Sequence, residues 1–515
     1  MLKHHESCSL VKRPHAAVPG EEVTQLSHQW QDVRRSVSSL VFLAILAVLL
    51  AALAAGQVSA QQATSDLKPA SQTPGSQESN GTQIQIATFD LDATPPVGAP
   101  LAYDPVRRHG EIGLRCKGLV IQGAGQPIVL CAMDWIGISN EAYDAFQNVL
   151  AEAAGTVPSR VALHCLHQHD APRCDFTAEA ILHHVGSSNL GPFDNSFARQ
   201  FLGSLELAVQ QSMGSARPVT HVGFGTAEVQ QVASNRRLLD DNGKVYATRY
   251  TTCRDPKLRA VPEGTVDRDL NAVVFHDGNK PVASLTYYAC HPQSYYRTGV
   301  PSPDFPGLAR ILRGEDAPET FHMHFNGAGG NIGAGKYNDG NKANRLILAG
   351  RLATAMEQAM GSAKPMPVTA DAVNLRSVAV ALPAAEHLKK DALLELLSDP
   401  SPAVVANSPA DLAWLQRCQD GHKIDVSCLQ LGDIRILHLP GELFVEFQLA
   451  AKAMRPDLNV TMAAYGDYGP GYIGTEIAYT QGGYETSQRA SRVSPKSEAI
   501  LMGAIEQLLD VKAAK

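Results

Sequence analysis

A chain of 515 residues with 44% hydrophobic and 18% charged side chains has ordinary globular composition, and it is long enough for two or three average domains or one large α/β enzyme. The formal charge is −7 and no basic cluster stands out in the body of the chain, which argues against nucleic acid as a partner.

The first element in chain order is a targeting segment. Residues 40–55 are apolar and uncharged, Lys12, Arg13, Arg34 and Arg35 precede them, and Val58-Ser59-Ala60 is a small-x-small cleavage site. The run is short against the roughly 20 residues of a membrane span. Residues 1–60 therefore read as a cleaved export signal, with a retained N-terminal anchor as the alternative. Residues 61–85, rich in Ser, Gln, Thr and Pro without an aromatic, read as a disordered spacer. Residues 86–515 show no linker, repeat or low-complexity tract and read as one catalytic module. Eight of the nine cysteines lie beyond residue 60, and an even number in an exported chain permits disulfides. Cys116 with Cys131 and Cys418 with Cys428 are the candidate pairs, against the alternative of buried thiols.

Within that module strand and helix patterns alternate. Residues 118–133, with Gly123-Ala124-Gly125 at the middle, read as a hairpin. Asn140 is placed to cap a helix carrying Tyr143, Phe146, Val149 and Leu150 on one face. Another helix is predicted over 195–213. Strands are predicted over 272–275 and 284–289, and near 321–324, 370–382, 433–439 and 460–463. Helices are predicted near 341–361 and 441–453. The alternation predicts an α/β fold, a mixed β-sheet core flanked by helices in a single large domain.

Leu163-His164-Cys165-Leu166-His167-Gln168-His169-Asp170-Ala171-Pro172 follows the apolar stretch from Arg160. Read as a strand, it places His167 and His169 on one face at the carboxyl end, where open α/β sheets hold their ligands. Two converging imidazoles suggest a metal, most often zinc. Four other segments have similar character. His291 in Cys290-His291-Pro292-Gln293-Ser294 ends another apolar strand. Glu442 in Leu439-Pro440-Gly441-Glu442 sits at the predicted first turn of a helix. Tyr472 and Tyr484 belong to a Gly-rich loop. Phe325 to Gly333 is a glycine run without the Lys-Ser/Thr of a phosphate-binding loop, so its backbone is expected close to a substrate pocket. His183, His184, His322 and His324 read as surface or strand residues.

Together and in this order, the segments resemble the catalytic domain of the neutral/alkaline non-lysosomal ceramidases, over about residues 86–490. The resemblance implies zinc ligands at His167, His291, Glu442 and Tyr472. It places a second histidine, His169, beside the metal and Tyr484 facing the scissile carbonyl, and it puts the arginine of the family's Asn-Arg-Ser-Pro motif on Arg236. It also shows departures: the family's active-site serine falls on Gly333 and its aspartate on Asn331, Arg237 replaces the serine of Asn-Arg-Ser-Pro, and a C-terminal immunoglobulin-like domain is not expected.

A nitrogen- and oxygen-rich zinc set can lower the pKa of water from 15.7 to roughly 7 and so attack a carbonyl without a serine. His169 is then the candidate base or proton shuttle, and Tyr484 and Arg236 would stabilise the oxyanion or hold a polar substrate group. Each residue has a plainer reading. Glu442 would complement a helix dipole, Tyr472 and Tyr484 would be loop aromatics, Arg236 a salt-bridge partner, and His169 a neighbour of the site. The expected function is an exported Zn2+-dependent hydrolase of amide bonds, ceramidase-like, acting on N-acyl sphingosine or another N-acylated small molecule or lipid. Association with a membrane surface is compatible with that expectation. The alternatives are an inactive relative that binds lipid or glycan at the cell surface, and a zinc esterase or amidase of small substrates.

Overall fold

Three strands of the N-terminal sheet, β1 (Gln85–Asp92), β2 (Arg115–Gln122) and β3 (Ile128–Met133), pair antiparallel in sequence order. The predicted hairpin is β2–β3. Its turn needs Gly123, which has φ +93° and would bring a Cβ to 2.4 Å from the Gln83 carbonyl. A helix, α1 (Asn140–Ala154), then crosses over, and β4 (Val161–Cys165) returns parallel to β3. Helix α2 (Ser196–Met213) buries Phe201, Leu205 and Val209, one turn apart, and packs on β1.

The same sequence of pairings occurs twice more. In the second unit β5 (His221–Glu228), β6 (Asp269–Asp277) and β7 (Lys280–Tyr288) are antiparallel, α3 (Asp304–Asp316) crosses over, and β8 (Phe321–Asn326) is parallel to β7. Helix α4 (Asn344–Ser362) follows and packs on β5. In the third, β9 (Val373–Val380), β10 (Ile424–Leu431) and β11 (Ile434–His438) are antiparallel, α5 (Val445–Met454) crosses over, β12 (Asn459–Ala463) is parallel to β11, and α6 (Ser497–Leu508) packs on β9. This corrects the expectation of a chain without repeats. The sequence hides the repetition because the segments joining the first two strands, 93–114, 229–268 and 381–423, are long and unlike one another. A mixed sheet core flanked by helices is present as three sheets in one α/β domain.

The computed structural model describes residues 83–399 and 401–511. The predicted export signal and the spacer up to residue 82 lie outside the described residues. The spacer was drawn too long at its end, since Ile84 is buried and Gln85 opens β1.

One face of each sheet meets a common core. Leu119, Ile121 and Leu130 of the first unit, Val273, Leu285 and Phe325 of the second, and Leu429, Ile434 and Ile436 of the third form one buried cluster. Strand alternation sends Val120, Val129 and Cys131 to the opposite face, beneath α1 and α2. Each fully buried Leu or Ile there contributes about 1.5–3 kcal/mol relative to exposure. The carboxyl ends of β4, β8 and β12 interlock in a cycle. Cys165 N donates to Tyr465 O at 3.0 Å, Ala464 N to Asn326 O at 3.0 Å, and Asn326 Nδ2 to Leu166 O at 3.5 Å. The loops leaving the three parallel strand pairs are thereby held together.

Two local expectations are corrected. Asn140 does not cap α1. It is the first helical residue, with φ 56°, and its Nδ2 donates to Asp175 Oδ2 at 2.7 Å while its backbone N donates to Asp467 Oδ1. Buried carboxylates have claimed the side chain that solvent-exposed capping would have used. The candidate disulfides are absent among the described residues, where all eight cysteines are free thiols. Cys116 and Cys131 sit side by side with Sγ atoms 3.5 Å apart, whereas Cys418 Sγ approaches the Leu382 carbonyl and Cys428 lies in β10.

Candidate metal centre

Strand β4 stops at Cys165, so strand alternation does not align His167 with His169 as expected. His167 instead takes φ 70°, a strained left-handed conformation for a side chain of its size. The kink turns its ring into the space where the loops of all three units converge. His291 enters from the loop after β7. Glu442 lies not in a helix turn but in a two-residue strand, Glu442–Leu443, three residues ahead of α5. That strand pairs in parallel with Tyr472–Ile473, with Glu442 directly opposite Tyr472. Glu442 therefore stands ahead of the helix and not within its first turn.

All seven residues singled out from the sequence, His167, His169, Arg236, His291, Glu442, Tyr472 and Tyr484, line one cavity of about 360 Å³. His167, His169 and His291 each offer a ring nitrogen within 4.8 Å of the others'. Glu442 Oε2 lies 3.2 Å from His167 Nε2 and 3.7 Å from His291 Nε2. Each imidazole is oriented by backbone. His167 Nδ1 is 2.6 Å from Ile136 O, His169 Nδ1 is 3.1 Å from His167 O, and His291 Nδ1 is 3.4 Å from Gly329 O. A carbonyl only accepts, so each Nδ1 carries a proton and each Nε2 is the ring nitrogen left free of backbone. Burial holds His169 and His291 well below the usual imidazole range, and the neighbouring His167 and Arg236 reinforce it.

Glu442 is charged. Burial would raise its carboxyl, but His167 and the hydroxyls of Tyr468 and Tyr472 together hold it below the ordinary carboxylate range. Oε1 accepts from Tyr468 OH at 2.5 Å, and Oε2 has no hydrogen-bond partner. Oε2 thus lies beside the ring nitrogens of His167 and His291, a buried cluster of nitrogen and oxygen donors that a divalent cation fits. The donor set is N- and O-rich without thiolate, which fits zinc.

Arg236 extends from the short strand Ser234–Asn235, which pairs with Ile332–Gly333. Its Nη1 donates to Tyr472 OH at 3.2 Å, its Nε lies 3.2 Å from Glu485 Oε1, and its guanidinium lies 5.7–5.9 Å from the rings of Tyr250, Tyr472 and Tyr484. The salt-bridge reading and a place in the site hold together for this residue. Tyr484 is half-buried and edge-on to Tyr472. The glycine run approaches the site-bearing loops themselves: a Cβ on Gly330 would fall 2.3 Å from Glu442 O. His322 and His324 lie in β8 and His183 and His184 in a helix, and none lines the cavity.

Sequence reasoning missed Tyr468, Glu485, Arg173 and Thr251. Thr251 Oγ1 is buried without a partner and lies 3.0 Å from where a Cβ on Gly333 would stand. The space beside Gly333 is thus filled by Thr251 and the Arg236 stem. Glu485, adjacent to Tyr484, and Arg173, directly after Pro172, each adjoined a motif in the sequence.

No protein-family description and no curated protein sequence matches this chain. Solved structures do. A ceramidase complexed with C2 superposes with a TM-score of 0.59 at 15% identity, over 84% of this chain and 77% of that one. The neutral ceramidase from Pseudomonas aeruginosa gives 0.58 at 15%, over 84% and 74%. The chain has a neutral-ceramidase-like fold. At that identity the likeness is one of fold. The ceramidase-like frame nevertheless matches the resemblance first read from short motifs.

Proposed function

We propose that this chain is a zinc-dependent hydrolase of amide bonds in an N-acylated substrate. The observation that carries the reading is Glu442 Oε2 lying 3.2 and 3.7 Å from the ring nitrogens of His167 and His291, in one cavity wall with His169. His167, His291, Glu442 and Tyr472 would hold the ion. Zinc in such a set acts as a Lewis acid and lowers the pKa of water to roughly 7. His169, kept neutral, accepts a proton at Nε2. Tyr484 donates to negative charge developing on the carbonyl oxygen, and Arg236 stabilises the same charge while fixed by Glu485 and Tyr472. Gly333 leaves no hydroxyl at the family's serine position, so the nucleophile in this reading is water. The apolar segment at 40–55 supports export of the mature chain.

A second reading gives His169 to the ion as a third nitrogen ligand, favoured by its ring nitrogen lying within 4.8 Å of those of His167 and His291. Metal analysis of residues 61–515 tests both readings. About one zinc per chain, lost in His167→Ala with the fold intact by circular dichroism, is expected. His169→Ala retains zinc but loses turnover if His169 is the base, and loses zinc if it is a ligand. Failure to bind zinc when it is supplied would remove the hydrolase reading.

A further inference from the structure

The cavity around the proposed metal centre is lined almost entirely by polar and aromatic groups. No Leu, Ile, Val, Met or Phe lines it, and Ala490 is its single aliphatic residue. Ligand pockets are usually lined mostly by apolar side chains, and one for an acyl chain needs them throughout. The aliphatic side chains of this region, Leu238, Ile477 and Met502 among them, line a separate groove of about 630 Å³ that shares no residue with the cavity.

Four arginines line the cavity, Arg173, Arg236, Arg489 and Arg492, against one carboxylate, Glu442. Arg492 is neutralised by Asp411 at 2.6 Å. Arg236 shares Glu485 with Arg237, so one carboxylate serves two guanidiniums. Neither Arg173, half-buried, nor Arg489, exposed at the rim, has an acidic partner within salt-bridge distance among the described residues. Arg173 is steered by Nη1 donating to Ala406 O at 3.0 Å and by the ring of Phe193, while its buried Nε has no partner. A half-buried guanidinium without an ionic partner in the wall of a polar cavity, with a second at its exposed rim, makes a place where an anion would be received.

The geometry points to a substrate that carries a compact anion, carboxylate or phosphate, close to its scissile amide, with Arg173 and Arg489 receiving that charge. The inference rests on the hydrolase reading of the same cavity and narrows it away from neutral two-chain lipids.

The test is calorimetric binding and hydrolysis on the zinc-loaded chain with three probes of one acyl length: N-hexanoylglycine, N-hexanoyl-O-phosphoethanolamine and neutral N-hexanoylethanolamine. At least one anionic probe is expected to bind about tenfold or more tighter than the neutral one, with an affinity that falls as salt rises. Arg173→Gln and Arg489→Gln should each erase most of that preference. Arg173→Lys, which keeps the charge without the fork, should restore part of it. Arg268→Gln, at an exposed position, should leave the preference intact. Circular dichroism verifies the fold of every variant. Equal or undetectable binding of both anions overturns the inference, as does a preference that survives both glutamine substitutions. Anion preference without hydrolysis of any probe would keep this inference and remove the hydrolase reading. Hydrolysis of N-hexanoylethanolamine with no anion preference would do the reverse.

Discussion

The first and third sheet units send their groups to the cavity from equivalent places, yet hold them by different means. The first contributes imidazoles from the loop after β4, and the Ile136 carbonyl from the loop after β3 orients His167. The third contributes oxygens: Glu442 from the loop after β11, and Tyr468, Tyr472 and Tyr484 from the loop after β12. There the orienting group is a side chain, Tyr468, whose hydroxyl donates to Glu442 Oε1 at 2.5 Å. The repeated connectivity supplies three convergent loop pairs, and the loop sequences decide whether nitrogen or oxygen arrives. A support built from backbone survives any side-chain substitution that leaves the fold alone. A support built from a phenol does not.

The sharpest way to break that asymmetry is at Glu442. Glu442→Gln keeps the volume and removes the charge that faces His167, and it should lower zinc affinity by more than about a hundredfold, because the proposed ligand is lost together with the cavity's only lining carboxylate among the described residues. Tyr468→Phe removes only the orienting hydroxyl and should cost about 10–100-fold, the range for partners of metal ligands. Competitive zinc titration against a chromophoric chelator measures both. Equal losses in the two variants would mean that Glu442 is not a ligand but part of a hydrogen-bonded pair.

Arg236 extends the comparison to catalysis, since it ties the second unit to Tyr472 and Glu485 of the third. Arg236→Gln should lower kcat by about 10²–10³ while zinc content stays near one per chain, as for loss of an oxyanion donor. Glu485→Gln leaves the guanidinium in place but loosens it and should cost less. A rise in KM alone in either variant would show that the arginine serves ground-state binding.

What the sequence made legible divides along the same line. His167, His291, Glu442, Tyr472 and Tyr484 were readable because each sits in a short motif and the motifs occur in order. The Ile136 carbonyl has no sequence signature, because any residue presents a carbonyl. Tyr468 lies outside any motif, and Arg173 follows Pro172 directly but matters only through neighbours brought in by the fold. The individual strands were legible from apolar runs, with ends shifted by a few residues, as for β6 at Asp269–Asp277 against the predicted 272–275. Their threefold arrangement was not, since pairing order leaves no local trace once insertions of unequal length separate the strands. Asn140 was misread for the same reason: its partner Asp175 lies 35 positions away.

The seam between the first and third units gives the smallest of these effects and the most specific. Asp467 of the third unit accepts from Asn140 N, and Tyr468 N donates to Ile138 O. Asp175 accepts from Asn140 Nδ2 and from Ala178 N. Burial pushes the carboxyl of Asp175 up to about 7 and that of Asp467 up to about 6, the latter against the pull of Arg417. Both values exceed that of an unfolded aspartate, about 3.9. Between pH 4 and 7 the folded chain therefore holds protons that the unfolded chain has released, and stability falls as pH rises through this window. For each group the stabilisation is fully present below pH 4 and lost above its folded pKa. Asp175→Asn removes one titration while keeping an acceptor for Ala178 N. Its stability relative to the parent chain should improve as pH is raised from 5 to 8, by on the order of a few kcal/mol at most, in urea unfolding followed by circular dichroism. A difference between the two chains that does not change with pH would show that Asp175 stays charged across the seam, and that Asn140 alone balances it.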